Sequence, residues 1–447
     1  MLETVDRRRP ARRYVMIDDK LRVLAAMKQI LREPLVTVFP RQGHHAYAQA
    51  DLERYGAADV SAERRRPARA RPGVVARRDQ GDRMNANTDK LHALGQSLWL
   101  DNITRQMLDD GTLARYIAEL SISGLTSNPT IFEHAIGKGN SYDKQIAAVA
   151  REGRSGEELF LQLALQDLRR AADLFRPIHD RTAGVDGWAS LELSPLIVDD
   201  AATSIRAAAR LHAAAKRPNL YIKIPGTRAG VEAIEGSIFA GVPINVTLLF
   251  SREQYVASAE AYLRGIERRS GAGLDLKVDS VASLFVSRWD VAVKDRIAPG
   301  QRNRLGIAIA RRTYKAYREL LASPRWQKLA AAGARPQRLL WASTGTKDPA
   351  ASDTLYIEAL AAPDTINTIP DKTLLAYADH GKLGAPMALD GGDAEALIAE
   401  VRRQGIDDDA LAERLQKEGA EAFAKSWKSL LDGIGEKTLQ LTGAASK

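Results

Sequence analysis

The chain has 447 residues, 45% of them hydrophobic, with a formal net charge of +9 and no cysteine. That apolar fraction can build a large core, and no uninterrupted apolar run approaches the about 18 residues of a transmembrane helix, so a soluble globular protein without membrane partners is expected. The missing cysteines exclude disulfides, thiol catalysis and thiolate metal sites, and the early apolar pieces, such as 35–39, are too short for a secretory leader, so a cytoplasmic protein is expected.

The positive charge lies almost wholly at one end. Residues 1–83 carry 19 Lys+Arg against 11 Asp+Glu, while residues 84–447 carry 46 against 45. Seventeen of those 19 are arginine, grouped at Arg7–Arg9, Arg64–Arg66 and Arg77–Arg78 with prolines interspersed. One helix is expected here, Asp18 to Leu31, and the rest lacks periodicity and reads as largely disordered. Its arginines could contact nucleic acid weakly through phosphates; a solvated tail, or a stretch upstream of the natural start, explains the composition as well. Met84 looks like a natural beginning, with Asn87 or Thr88 able to cap the helix that follows. The chain thus divides into an extension, 1–83, and a body, 84–447.

In the body, short apolar runs alternate with longer stretches of helical period. The expected strands are Ser97 to Asp101, Gly124 to Asn128, Trp188 to Leu193, Leu220 to Ile224, Ile244 to Leu249, Val278 to Val286, Arg338 to Ser343 and Thr365 to Ile369. Between them run helices such as Glu157 to Phe175, Ala201 to Lys216, Arg252 to Arg264 and Arg302 to Leu321. Eight strand-then-helix units make an α/β TIM-type (β/α)8 barrel the leading architecture. A doubly wound open sheet is the runner-up, but no strand is followed by a Gly-x-Gly-x-x-Gly loop. Ala394 to Leu441 reads as two or more helices, including Ala410 to Leu431, that fold across one barrel mouth.

Catalytic side chains of such barrels sit at the carboxyl ends of strands, where alternate residues face the same way. The fourth strand places Lys223 near the end of the apolar run Asn219–Ile224. Desolvation disfavours a charged amine, and a lysine so placed is suited to attack carbonyl carbon, although an edge lysine that snorkels to water would read the same way. Matched strand ends carry Asp101, Thr126 with Asn128, Ser190 with Glu192, Asn245 with Thr247, Ser283 with Phe285, and Ser343. Imine chemistry on a ketose needs a nucleophilic amine and carboxyls that move protons, which Lys223, Asp101 and Glu192 supply. Thr247 can position a water, and Asn128 and Asn245 can hold hydroxyls without adding charge. Arg288 and Lys347, in loops after the sixth and seventh strands, can bind a phosphate. No His/carboxylate cluster has metal-ligand spacing, no dinucleotide loop is present and no pyridoxal-phosphate cradle is assignable, so neither metal nor cofactor is expected.

Three segments, Gly124–Phe132 (GLTSNPTIF), Tyr221–Thr227 (YIKIPGT) and Ile244–Ser251 (INVTLLFS), make roughly residues 88 to 445 resemble the transaldolase family. The resemblance implies a metal-free class I enzyme that moves a dihydroxyacetone unit from sedoheptulose 7-phosphate to glyceraldehyde 3-phosphate, giving erythrose 4-phosphate and fructose 6-phosphate. It makes Lys223 the Schiff-base lysine, Asp101 the acid/base aspartate, and Glu192 with Thr247 the activators of the catalytic water. It assigns Asn128 and Asn245 to substrate hydroxyls, Ser283 and Arg288 to the phosphate side, and Phe285 to the position beside the water. The related fructose 6-phosphate aldolases carry Gln and Tyr where this chain has Glu192 and Phe285, which favours transfer over simple cleavage. The loop Ala342–Lys347 is longer than the family's Ser-x-Arg arrangement, a departure that counts against carrying the phosphate role over to Lys347; Ser343 stays among the substrate-binding candidates, and the extension before Met84 matches nothing in the family.

Two other readings stay open at this level. One is a barrel aldolase that releases dihydroxyacetone or its phosphate; the other is a non-catalytic binder of sugar phosphate or nucleic acid. The Asp101, Glu192, Lys223 set argues against the latter, since binding alone does not require a buried amine. Oligomeric state is not legible here.

Overall fold

A computed structural model describes residues 84–137 and 139–443, together with three strands before them. The chain falls into two units, Met1–Asp79 and Gln80–Lys447. In the first, β1 (Tyr14–Ile17), β2 (Leu35–Pro40) and β3 (Val60–Ala62) pair in parallel in that order. These short strands are not among the elements expected from sequence: runs such as Leu-Val-Thr-Val-Phe are good strand formers once a partner is present, and an average over an arginine-rich segment hides them. The reading of the extension as largely disordered concerns residues that lie outside the described ones. The helix expected at Asp18 to Leu31 lies outside the described residues.

The second unit holds eight parallel strands: β4 (Ser97–Leu100), β5 (Ile122–Leu125), β6 (Ala189–Glu192), β7 (Leu220–Pro225), β8 (Ile244–Leu249), β9 (Ser280–Phe285), β10 (Arg338–Ala342) and β11 (Ile366–Ile369). Their order is β5-β4-β11-β10-β9-β8-β7-β6. The ring closes between β5 and β6 through a parallel bridge from Gly124 to Trp188, with Leu125 N donating to Trp188 O at 2.9 Å. A side chain at position 124 would meet the Trp99 indole at 2.6 Å, so glycine is required for closure. Nearly every strand residue is buried on both faces, as in barrels wrapped by helices. Trp188 and Tyr221 stack at 4.0 Å, with Trp99 6.1 Å from Tyr221. Strand alternation then sets Asp101 and Lys223 on the faces of Trp99 and Tyr221, one step nearer the carboxyl end.

The expected strands fall within a few residues of those observed. The clearest shift is in β5, which ends at Leu125 because Asn128 leaves the ladder: its Oδ1 accepts from Ile131 N at 3.0 Å at the start of the helix Pro129–Gly137. The first helix, Ala86–Ala93, is capped by Asn85, which accepts from Asn87 N and Thr88 N, rather than by Asn87 or Thr88. After β11 come the helices Ala394–Arg403 and Asp408–Thr442. The second crosses the carboxyl-end mouth: Gln416 Nε2 donates to Gly226 O (3.1 Å) and Leu248 O (2.9 Å), and Ser426 Oγ meets Thr130 Oγ1 at 2.9 Å. Among the described residues no helix is long and apolar enough to cross a membrane.

Candidate active site

Beneath that long helix, the carboxyl ends of the strands enclose a cavity of about 270 Å3. Its wall brings together Asp101, Asn128, Lys223, Thr247, Ser283, Phe285, Arg288, Ser343 and Lys347, nine of the eleven residues expected from sequence. The other two lie behind it. Glu192 reaches the cavity through Lys223, and Asn245 through Ser283, whose Oγ donates to Asn245 Oδ1 at 2.7 Å.

Lys223 is 5% exposed, so the snorkelling alternative does not hold. Its Nζ lies 2.8 Å from Glu192 Oε2 and donates to Ser127 O at 3.0 Å. Burial holds the Glu192 carboxyl above its usual range, against the lowering pull of the Lys223 ammonium. The result is a carboxylate of raised basicity in contact with the amine. Asp101 is also raised by burial, opposed by Lys223, by the hydroxyl of Thr126 at 2.9 Å and by Lys347. Two carboxyls poised upward and one buried amine are what stepwise proton transfers at an imine require.

Local backbone aims the neighbours. The β8 ladder shifts register between Val246 and Leu249, and Leu248 adopts φ +57°, a conformation that is strained for a leucine. Thr247 sits in this bulge, fully buried, with an Oγ1 that has no protein partner. Such an oxygen is fitted to hold a water or a substrate hydroxyl. The Asn128 oxygen caps its helix, which leaves the Nδ2 donor for a ligand. Ser343, at φ +54°, is tied to Ser287 by an Oγ–Oγ contact of 2.9 Å and by Ser287 N donating to its carbonyl.

Cations gather on one side of the cavity. Arg288 lies over the Phe285 ring at 5.3 Å, and burial lowers its pKa, with Glu418 opposing. Gly419 makes room for it: a Cβ there would stand 3.2 Å from Arg288 Nη1 and 2.9 Å from Leu248 Cδ2. Lys347 is exposed at the rim. The wall also holds Thr126, Thr130, His134, Thr368 and Phe423, to which sequence reasoning assigned no role. The strand-end rule could have found Thr368, one residue before the end of β11, as it found Thr126. Nothing in the sequence marks His134 or Phe423, which arrive on helices.

A family model described as Transaldolase/Fructose-6-phosphate aldolase matches residues 98–434. The chain belongs to that family. A transaldolase of Parafrankia sp. is 42% identical over 372 residues, covering 81% of this chain and all of that protein. Another from Thiobacillus denitrificans is 44% identical over 360 residues, with 79% and 100% covered. A solved haloacid dehalogenase-like hydrolase of Burkholderia xenovorans is 53% identical over 14% of this chain and 29% of its own, with a TM-score of 0.14. Family membership makes the protein a transferase of the transaldolase kind that works through a lysine Schiff base on sugar phosphates.

Proposed function

We propose that this enzyme transfers a dihydroxyacetone unit from sedoheptulose 7-phosphate to glyceraldehyde 3-phosphate through an imine on Lys223, giving erythrose 4-phosphate and fructose 6-phosphate. The observation that carries the assignment is the buried amine of Lys223 held 2.8 Å from Glu192 on the cavity that also presents Asp101. Glu192 takes a proton from Nζ, freeing its lone pair for the ketose carbonyl carbon. It then returns a proton, directly or through a water held by Thr247, as the carbinolamine loses water. Asp101 accepts the proton of the C4 hydroxyl while the C3–C4 bond breaks, and the aldehyde departs. The three-carbon enamine stays on Lys223 until the acceptor aldehyde arrives, and the steps reverse.

Arg288 and Lys347, with Ser343 beside them, provide the phosphate side. Ser283 lies on the phosphate side as well, Asn128 offers its Nδ2 to the substrate hydroxyls, and Asn245 acts from behind the wall through Ser283. Phe285, unable to donate a hydrogen bond, keeps apolar surface where a tyrosine would orient water, which supports transfer over hydrolytic release. A cytoplasmic location accords with the absence of cysteine. Borohydride reduction in the presence of fructose 6-phosphate, followed by peptide mapping, tests the reading: a three-carbon adduct is expected on the peptide containing Lys223. Full trapping in a Lys223→Ala protein would overturn it.

A further inference from the structure

Thr126 and Thr368 come from strands 242 positions apart, and their hydroxyl oxygens lie 2.7 Å from each other. Thr126 Oγ1 is also 2.9 Å from Asp101 Oδ1. Both threonines are buried and both reach the cavity wall, at 3% and 2% exposure. A threonine hydroxyl has one hydrogen to give and two lone pairs to accept with. While Asp101 is ionised, Thr126 must spend its hydrogen on Oδ1, so Thr368 donates to Thr126. When Asp101 carries a proton on Oδ1, the chain can run the other way, from Asp101 to Thr126 to Thr368. Either charge state of the carboxyl is satisfied without rotation of its side chain, and the other oxygen, Oδ2, remains for the substrate.

We propose that Thr126, backed by Thr368, is a positioning residue that acts through Asp101, fixing the carboxyl's orientation through both protonation states of carbon–carbon cleavage. The proposal rests on the assignment of Asp101 as the cleavage base. Other titratable or charged groups facing that carboxyl or sharing its cavity are Lys223 on β7, Glu192 on β6, Lys347 after β10, Arg288 after β9 and His134 on the helix Pro129–Gly137. A hydrogen bond to an ionised carboxylate favours the ionised form. Its removal therefore moves the acid limb of the cleavage step to higher pH.

The test compares two steps in the wild type and in Thr126→Val, Thr126→Ser and Thr368→Val: borohydride trapping of the imine, and first-turnover aldehyde release from fructose 6-phosphate across pH. Expected for Thr126→Val are a near-normal trapping rate and an acid limb of release raised by about one pH unit, so that release falls about tenfold on the acid side and little on the plateau. Thr126→Ser restores the limb, and Thr368→Val moves it in the same direction by less. An unmoved limb in both valine variants overturns the proposal, as does a parallel loss of trapping and release that serine does not rescue. Asp101→Asn separates the two layers: if it releases aldehyde at the wild-type rate, the assignment of Asp101 falls and the proposal with it, whereas an inactive Asp101→Asn beside an unmoved limb in the valine variants overturns the proposal alone.

Discussion

Lys223 and Glu192 are register partners on adjacent parallel strands, and their side chains meet with Nζ 2.8 Å from Oε2. Because the pair is buried, removing one charge leaves the other without compensation, and the choice of variant matters. Glu192→Gln keeps the shape while abolishing the proton acceptor, so imine formation should slow by roughly 10²- to 10⁴-fold. Asp101→Asn should leave trapping on Lys223 nearly intact and slow aldehyde release by a similar factor. Rapid-quench trapping and release assays separate the two, and losses below tenfold in both variants would mean that the chemistry lies elsewhere.

Gln416 joins the long carboxyl-terminal helix to the ends of β7 and β8 by donating to Gly226 O and Leu248 O. One of these carbonyls belongs to the residue held at φ +57° directly after Thr247. Gln416→Leu removes both donors at similar volume, allowing the bulge to relax and Thr247 to lose its aim. The expected outcome is a severalfold to tenfold fall in kcat, with a loss of roughly 1–2 kcal/mol in stability from two unmatched carbonyls. Urea denaturation and steady-state kinetics check both, and a variant with kcat within twofold of wild type would show that the latch does not serve the site.

Asp290, 4% exposed, accepts from Leu305 N, Gly306 N and the Tyr356 hydroxyl, and so caps the helix Leu305–Ala322, which has no side-chain cap of its own. Burial pushes its carboxyl up to about 6, against the pull of those donors. A carboxyl whose folded pKa lies above its unfolded value contributes stability that is fully present below the unfolded value near 4 and lost as pH rises through about 6. Asp290→Asn cannot titrate, so the wild type should lose melting temperature relative to it by a few degrees between pH 4 and pH 6, and not beyond. Parallel melting curves across that range would refute the assignment.

The extension carries the surplus of positive charge and forms a unit separate from the barrel. A protein beginning at Met84 should fold and transfer dihydroxyacetone with unchanged rate constants. Weak, salt-sensitive nucleic-acid binding, if the full chain has it, should disappear with the extension. A melting temperature lower by more than about 5 °C, or a tenfold loss of activity, would show that the extension belongs to the working enzyme.

Residues close together in sequence were legible without coordinates. The barrel strands follow from short apolar runs spaced by helical periods, and Lys223, Asp101, Glu192 and Thr247 from their places at strand ends. Periodicity states which face a side chain takes, because strand geometry is local. It cannot state which strand closes the ring, and the Gly124–Trp188 bridge settles that between segments 64 positions apart. Nor does it place Glu192 against Lys223 rather than on the wall, or set Thr368 behind Thr126, or bring Gln416 and Phe423 over the mouth. Those relations depend on the register and closure of a parallel sheet and on the docking of a distant helix, interactions whose partners are far apart along the chain and which local propensity does not encode.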